Sequence, residues 1–292
     1  MRLSEVMNQP IEHHTAEVSP GVELHYVEAG EGPLVVLLHG FPEFWYTWRH
    51  QIPALVEEGF RVVAPDLRGY NTSSKPEGIE AYTLEKLAGD IAQLILELGE
   101  ERALVVGHDW GGVTAWELAM HHPERVQKLA VLNAPHPSVF ARAILRPRQL
   151  VKSWYILAFQ LPVLPELLLA RDDWEVLREV FETTTYKIGI LDEEEIEQTI
   201  RAFSQPGVAT AAINYYRAGA RLPRRRAQPV RAPVRIIWGR QDHALSEFLA
   251  DPGSKYAPMR QVIFVEDAAH WVQNERPGRV NILLKEFFLE DD

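Results

Sequence analysis

The 292-residue chain carries 41 acidic and 30 basic residues, a formal net charge of −11, and no cysteine. The charge balance argues against nucleic acid and anionic membrane surfaces as partners, and the missing thiols exclude disulfides, thiolate metal sites and cysteine nucleophiles. Hydrophobic residues at 46% and charged residues at 24% are those of an ordinary globular chain, long enough for one large α/β domain with an insertion or for two small domains.

Met1-Arg2-Leu3-Ser4-Glu5-Val6-Met7-Asn8 has no apolar h-region, so no secretory signal is read there and a cytoplasmic protein is expected. The alternating segments around Thr15 to Val18 and Val22 to Val27, joined at Ser19-Pro20-Gly21, predict an antiparallel hairpin. Leu34 to Leu38, Arg61 to Ala64, Ala103 to Val106 and Leu129 to Leu132 are short, apolar and rich in valine and leucine, as parallel strands buried on both faces are. Between them, Leu84, Leu87, Ile91, Leu94, Ile95 and Leu98 recur at helical spacing. Strands alternating with crossover helices predict a mostly parallel, doubly wound sheet.

That rhythm stops at Pro135-His136-Pro137, and from there to about Arg231 the pattern is helical and irregular, without a buried strand. The apolar stretch from Tyr155 to Ala170 is interrupted by Gln160, Pro162, Pro165 and Glu166, so it is not expected to span a bilayer. Strand patterns return at Val234 to Trp238 and Gln261 to Val265, and an amphipathic helix is expected from about Val280 to Leu289. The organisation read is an α/β core (1–136 and 231–292) interrupted by a helical cap (137–230). Arg224-Arg225-Arg226 reads as a solvated loop rather than a nucleic-acid patch.

The chemistry centres on Gly107-His108-Asp109-Trp110-Gly111, a sharp turn between the Ala103 to Val106 strand and the helical run that begins at Gly112. Such an elbow presents its central side chain as a nucleophile, and here that side chain is a carboxylate where hydrolases usually carry serine. A serine attacking saturated carbon would leave an ether that an ordinary triad cannot hydrolyse. Asp109 attacking saturated carbon leaves an ester, which turns over. The elbow therefore points to displacement at alkyl carbon, with a halide or an epoxide oxygen leaving.

Ligands of open α/β sheets bind beyond the carboxyl ends of the strands, and the other candidates sit there. His270, after the strand ending at Val265, is the expected general base. Asp242, after Trp238-Gly239-Arg240-Gln241, would orient it, and the chain order nucleophile, acid, histidine is that of hydrolase triads. Asp267, close to His270 in sequence, is a rival acid that reads better as a turn residue, and the end of the preceding strand offers only Asn133. Backbone N–H groups of Trp110 and Phe41 are the expected oxyanion donors. His39, His108, His121, His122, His13 and His14 are read as structural, and neither metal nor cofactor is expected. Tyr155 and Tyr216 are phenols able to donate to a departing alkoxide, though the residues alone leave them as ordinary packing aromatics.

Taken together, these motifs resemble the α/β-hydrolase-fold epoxide hydrolases over nearly the whole chain. The matching signatures are His39-Gly40-Phe41-Pro42-Glu43-Phe44-Trp45, Asp66-Leu67-Arg68-Gly69-Tyr70, Gly107-His108-Asp109-Trp110-Gly111-Gly112, the Tyr155 and Tyr216 segments, Trp238-Gly239-Arg240-Gln241-Asp242 and the His270 loop. The resemblance implies Asp109 as nucleophile, an Asp242–His270 charge pair, and Tyr155 with Tyr216 as ring-opening donors; Tyr215 is set aside because the family's Asn-aromatic-Tyr-Arg pattern puts the donor second. It implies an epoxide and water as the small-molecule partners; a monomer or homodimer is expected, the sequence not distinguishing the two. Phe41, Trp110, Trp154 and Phe159 are candidate substrate-lining residues. Haloalkane dehalogenases share the aspartate elbow but usually carry Asn at the position of Phe41 and lack the two tyrosines. Fluoroacetate dehalogenases are similar around Trp154, but have arginine in place of Trp110 and histidine in place of Ser153.

Overall fold

Alternation along the amino-terminal segment, and the tight Pro20-Gly21 turn with Gly21 at φ 73°, fold it into an antiparallel pair, β1 (Glu12–Ser19) and β2 (Val22–Ala29). The computed structural model describes residues 11–290, so the stretch Met1 to Asn8 lies outside the described residues. The apolar runs become β3 (Leu34–Leu38), β4 (Arg61–Pro65), β5 (Ala103–His108) and β6 (Val126–Leu132), with α1 (Gln51–Glu57), α2 (Leu84–Glu97) and α3 (Asp109–His121) between them. After β6 come α4 (Pro137–Ala143), α5 (Pro147–Lys152), α6 (Trp154–Ala158), α7 (Leu164–Ala170), α8 (Glu175–Thr183), α9 (Glu193–Phe203) and α10 (Val208–Arg221). The chain then returns to the sheet through β7 (Val234–Gly239) and β8 (Arg260–Val265), and ends with α11 (Val272–Glu275) and α12 (Pro277–Leu289).

The strands pair in the order β1-β2-β4-β3-β5-β6-β7-β8, antiparallel from β1 to β4 and parallel from β4 to β8. This is the α/β-hydrolase arrangement expected from the sequence. Because side chains alternate across a strand, β3 feeds two cores. Val36 and Leu38 pack with α2 and α3 on one face, while Val35 and Leu37 pack with Leu283, Leu284 and Phe287 of α12 on the other. Fully buried side chains of this size each contribute about 1.5–3 kcal/mol. The two-sided burial explains why these strands read as unbroken apolar runs rather than as alternating ones.

Two boundaries differ from the sequence reading. β6 begins at Val126 rather than Leu129, because Lys128 is a strand residue whose buried ammonium donates to the carbonyl of Phe287 at 3.2 Å. α12 begins at Pro277 rather than Val280, since proline at the first helical position costs no hydrogen bond and presets φ. Among the described residues no strand lies between β6 and β7, and no helix is long and apolar enough to cross a membrane. Tyr155 to Ala170 folds as the two short helices α6 and α7.

Candidate active site

The β5–α3 turn carries Asp109 at φ 47°, a left-handed conformation that costs a non-glycine residue energy and is held by its surroundings. The flanking glycines are required by close approach. A Cβ on Gly107 would stand 2.5 Å from the Gly111 carbonyl, and one on Gly111 only 2.2 Å from the Leu38 carbonyl. The turn is thereby pressed against the end of β3, and the Phe41 N–H donates to Asp109 Oδ1 at 3.0 Å. Trp110, second residue of α3, has its N–H among those a helix leaves without an intrahelical partner.

His270 follows β8 and points its Nε2 at Asp109 Oδ2, 3.7 Å away. Its Nδ1 donates to Asp242 Oδ2 at 2.8 Å. Asp267, the rival acid, instead takes the Arg276 guanidinium at 2.6 Å on the surface. Asp242 is further held by Asn133 Nδ2 at 2.7 Å and by the backbone N–H groups of Ala244 and Leu245 at 2.7 and 2.8 Å. Burial alone would drive the imidazolium to release its proton. The charges of Asp242 and Asp109 outweigh that and push the His270 pKa up to about 9. In return, the imidazolium and these donors hold the buried Asp242 carboxyl below its ordinary range despite desolvation.

Several side chains support the site from behind, among them His108, which the sequence reading took as structural, and Glu43, which it gave no role. His108 spans Glu43 Oε2 at 2.8 Å and the His270 carbonyl at 2.9 Å. Glu43 also accepts from the Gly40 N–H at 3.2 Å, from Thr47 Oγ1 at 2.5 Å and from Gln273 Nε2 at 3.1 Å. Burial would raise the Glu43 carboxyl, but His108 and Thr47 hold it below its ordinary value. One buried carboxylate thus ties the His39-Gly40-Phe41 loop to the His270 loop. Glu275 braces the same loop by accepting from Ala269 and Trp271 N–H groups, and reaches Tyr186 of the helical segment at 2.6 Å. The signal in sequence was Glu43 itself, an acidic residue inside an otherwise apolar and aromatic loop. His39 shapes that loop: burial lowers its pKa, and its Nε2 accepts from the Leu67 N–H at 3.0 Å.

Asp109 and His270 open into a cavity of about 700 Å³ between the sheet's carboxyl edge and the helical segment. Phe41, Trp154, Tyr155, Phe159 and Tyr216 line it. The Tyr155 and Tyr216 rings lie edge to face, centroids 5.8 Å apart. Burial, reinforced by the nearby Asp109 charge, keeps both phenols well above their ordinary pKa, so they stay protonated donors. Tyr215 is spent elsewhere, donating to the Arg68 carbonyl at 2.6 Å. Trp110 departs from expectation. It is not among the cavity-lining side chains, and its ring instead packs edge-on against Tyr216, centroids 5.0 Å apart. Trp154 stands at the mouth, 68% exposed.

With this geometry in place, comparison with known proteins is decisive. A family model described as alpha/beta hydrolase fold matches residues 33–165. The chain is 41% identical to Epoxide hydrolase 3 of Xenopus tropicalis over 93% of its own length and 76% of the relative's. It superposes with TM-score 0.85 on an epoxide hydrolase from Bacillus megaterium, at 34% identity, covering 95% of this chain and all of that one. The chain belongs to the epoxide hydrolases of the α/β-hydrolase fold. It is also 44% identical to the AB hydrolase superfamily protein YfhM of Bacillus subtilis, over 91% of this chain and 94% of that protein.

Proposed function

We propose that the protein hydrolyses epoxides to vicinal diols through a covalent aspartyl ester, without metal or cofactor, with the helical segment 137–230 acting as the cap. An Asp109 carboxylate oxygen attacks an epoxide carbon. The C–O bond to the nucleophile forms as the ring C–O bond breaks, and a phenol proton from Tyr155 or Tyr216 passes to the opening oxygen. Forming the ester removes one of the two negative charges beside His270, which lowers its proton affinity, and the imidazolium gives its proton through solvent to the tyrosinate, leaving a neutral base. His270 then takes a proton from water as the water oxygen attacks the ester carbonyl. The Phe41 and Trp110 N–H groups hold the oxyanion, and collapse, with the water-derived hydroxyl proton passing to the departing alkoxide, releases the diol and restores Asp109, leaving His270 as the imidazolium of the resting site. Asp242 keeps the imidazole oriented throughout.

The observation that carries this reading is the placement of two protonated phenols in the same cavity as the Asp109–His270 pair, since an alkoxide needs a proton and a halide does not. The test is turnover of styrene oxide, a bromoalkane and fluoroacetate by the wild-type chain and by a Tyr155→Phe/Tyr216→Phe variant. Styrene oxide is expected to be hydrolysed and the other two not, with the double variant slower on the epoxide by about 10²–10⁴-fold. Bromoalkane turnover that survives in the double variant, with no epoxide turnover in either protein, would overturn the assignment.

A further inference from the structure

All the exposed large apolar side chains among the described residues, except Leu96, Met259, Ile282 and Leu289, fall between residues 145 and 188. Leu145, Val151, Trp154, Leu157, Val163 and Leu167 are each 62–78% exposed, on α5, α6, α7 and the turns beside them. A concentration of this kind on one segment, rather than leucines scattered singly, marks a surface that meets something apolar. Leu157, Val163 and Leu167 belong to the Tyr155 to Ala170 run, whose prolines and short helices keep it from spanning a membrane.

Two further observations identify the occupant. Residues 142–168 carry Arg142, Arg146, Arg148 and Lys152 against Glu166 alone, in a chain whose net charge is −11. Glu166 is itself neutralised by Arg217, 2.7 Å away. A face that mixes exposed leucine and tryptophan with arginine and lysine matches the composition of helices that lie in an anionic membrane surface. A second copy of the chain fits less well, because a two-fold contact would set these cations against their own counterparts. The cavity also opens on this face: Trp154, Leu161, Leu164 and Leu168 line it and are exposed, so its mouth is continuous with the leucine surface. The acidic side of the mouth is partly compensated, Asp172 by Arg171 at 2.9 Å and Glu175 by Arg178 at 3.7 Å.

We propose that the leucine-rich face of residues 145–168 docks on an anionic lipid bilayer, so that the cavity takes its substrate from the lipid. Whole-chain charge argued against such a surface, but the local charge of this face is opposite to that of the molecule. The substrate half of the inference, lipid-partitioned epoxides, rests on the reading of Asp109 above; the docking half does not.

Flotation of the full chain tests it, with vesicles of phosphatidylcholine mixed with phosphatidylglycerol and vesicles of phosphatidylcholine alone. The wild type is expected to float with the mixed vesicles and on the order of tenfold less with phosphatidylcholine. Leu157→Glu/Leu167→Glu, whose side chains lie outside the cavity lining, should float on the order of tenfold less with the mixed vesicles while hydrolysing dissolved styrene oxide as the wild type does. Should that variant misfold, Arg146→Glu/Arg148→Glu leaves the apolar face intact and should lose the preference for phosphatidylglycerol. A wild type that floats with neither vesicle overturns the proposal, as do variants that float like it. So does a concentration-dependent dimer that the leucine variant makes monomeric while nothing floats. A protein that floats but hydrolyses no epoxide retains the docking surface and loses the proposed function instead.

Discussion

His270 lies between two carboxylates, and its proton affinity is a measure of how many of them are charged. With Asp242 at 2.8 Å and Asp109 at 3.7 Å, its pKa stands at about 9 against an ordinary 6.5, burial notwithstanding. Near neutral pH it is therefore an imidazolium in the resting site, and under the proposed mechanism it acts as a base only once Asp109 is esterified. Asp109→Asn mimics that loss of charge. The His270 ring of this variant, followed by NMR, is expected to titrate roughly one pH unit below the wild type. An unchanged titration would show that Asp242 alone sets the value and that esterification does not ready the base. At this scale Asp109, Asp242 and His270 were legible because each follows a recognisable apolar strand, where an α/β sheet gathers its ligands. Asn133, Glu43 and Gln273 were not. Their partners lie far away in sequence, as Glu43 and Gln273 or Asn133 and Asp242 do, and a hydrogen bond closed across the fold leaves no periodicity along the chain.

At the scale of elements, α3 is buried along nearly its whole length, from Gly111 to Met120 apart from Val113, and it carries one carboxylate into that environment. Glu117, 5% exposed, has His121 at 3.5 Å on its own helix, and burial, partly offset by Arg225, raises its pKa from 4.5 to about 7. The folded chain therefore holds this proton up to about pH 7 while the unfolded chain releases it near 4.5. Between those values the folded state binds more protons, so stability falls as pH rises. Once ionised, the group costs on the order of 3 kcal/mol. Glu117→Gln is expected to raise the melting temperature by several degrees near pH 8 and to change it little near pH 5; an equal change at both would mean that charge is not what Glu117 contributes. The strands themselves were legible because burial on both faces makes them plain apolar runs. The start of β6 was hidden by Lys128, a polar residue that satisfies its ammonium on α12 carbonyls, and the start of α12 by a proline that reads as a breaker but serves as a first-turn residue.

Over the whole molecule, Asp109 and His270 stand at the sheet's carboxyl edge while Tyr155 and Tyr216 stand on the helical segment, so under the proposed mechanism ring opening needs the two parts held together and ester hydrolysis does not. Hydrogen bonds join them at several places, among them those from Gln149 and Lys152 to the carbonyls of Ala244 and Asp242. Tyr215 reaches the Arg68 carbonyl, Glu275 reaches the Tyr186 N–H, and Arg49 of the core grips Glu195 of α9 through Nε at 2.7 Å and Nη2 at 2.6 Å. Burial would raise the Glu195 carboxyl, but His50 and Arg49 pull it down to about 2. Because this pKa is depressed on folding, its stabilisation is fully present above pH 4.5 and is lost as pH falls toward 2. Glu195→Gln keeps the shape and removes the charge, leaving the Arg49 guanidinium without its carboxylate; since Glu195 is 18% exposed, the cost is about 1–3 kcal/mol rather than that of a fully buried pair. Its expected kinetic signature is one-sided. In single-turnover experiments with excess enzyme, the rate of forming the Asp109 ester should fall severalfold, because Tyr155 and Tyr216 are held less closely over the epoxide. The rate of ester hydrolysis should stay near the wild-type value, because Asp109, His270, Asp242 and the Phe41 N–H all belong to the core. Equal losses in both steps would mean that Glu195 supports the fold as a whole rather than the closure of the helical segment over the nucleophile.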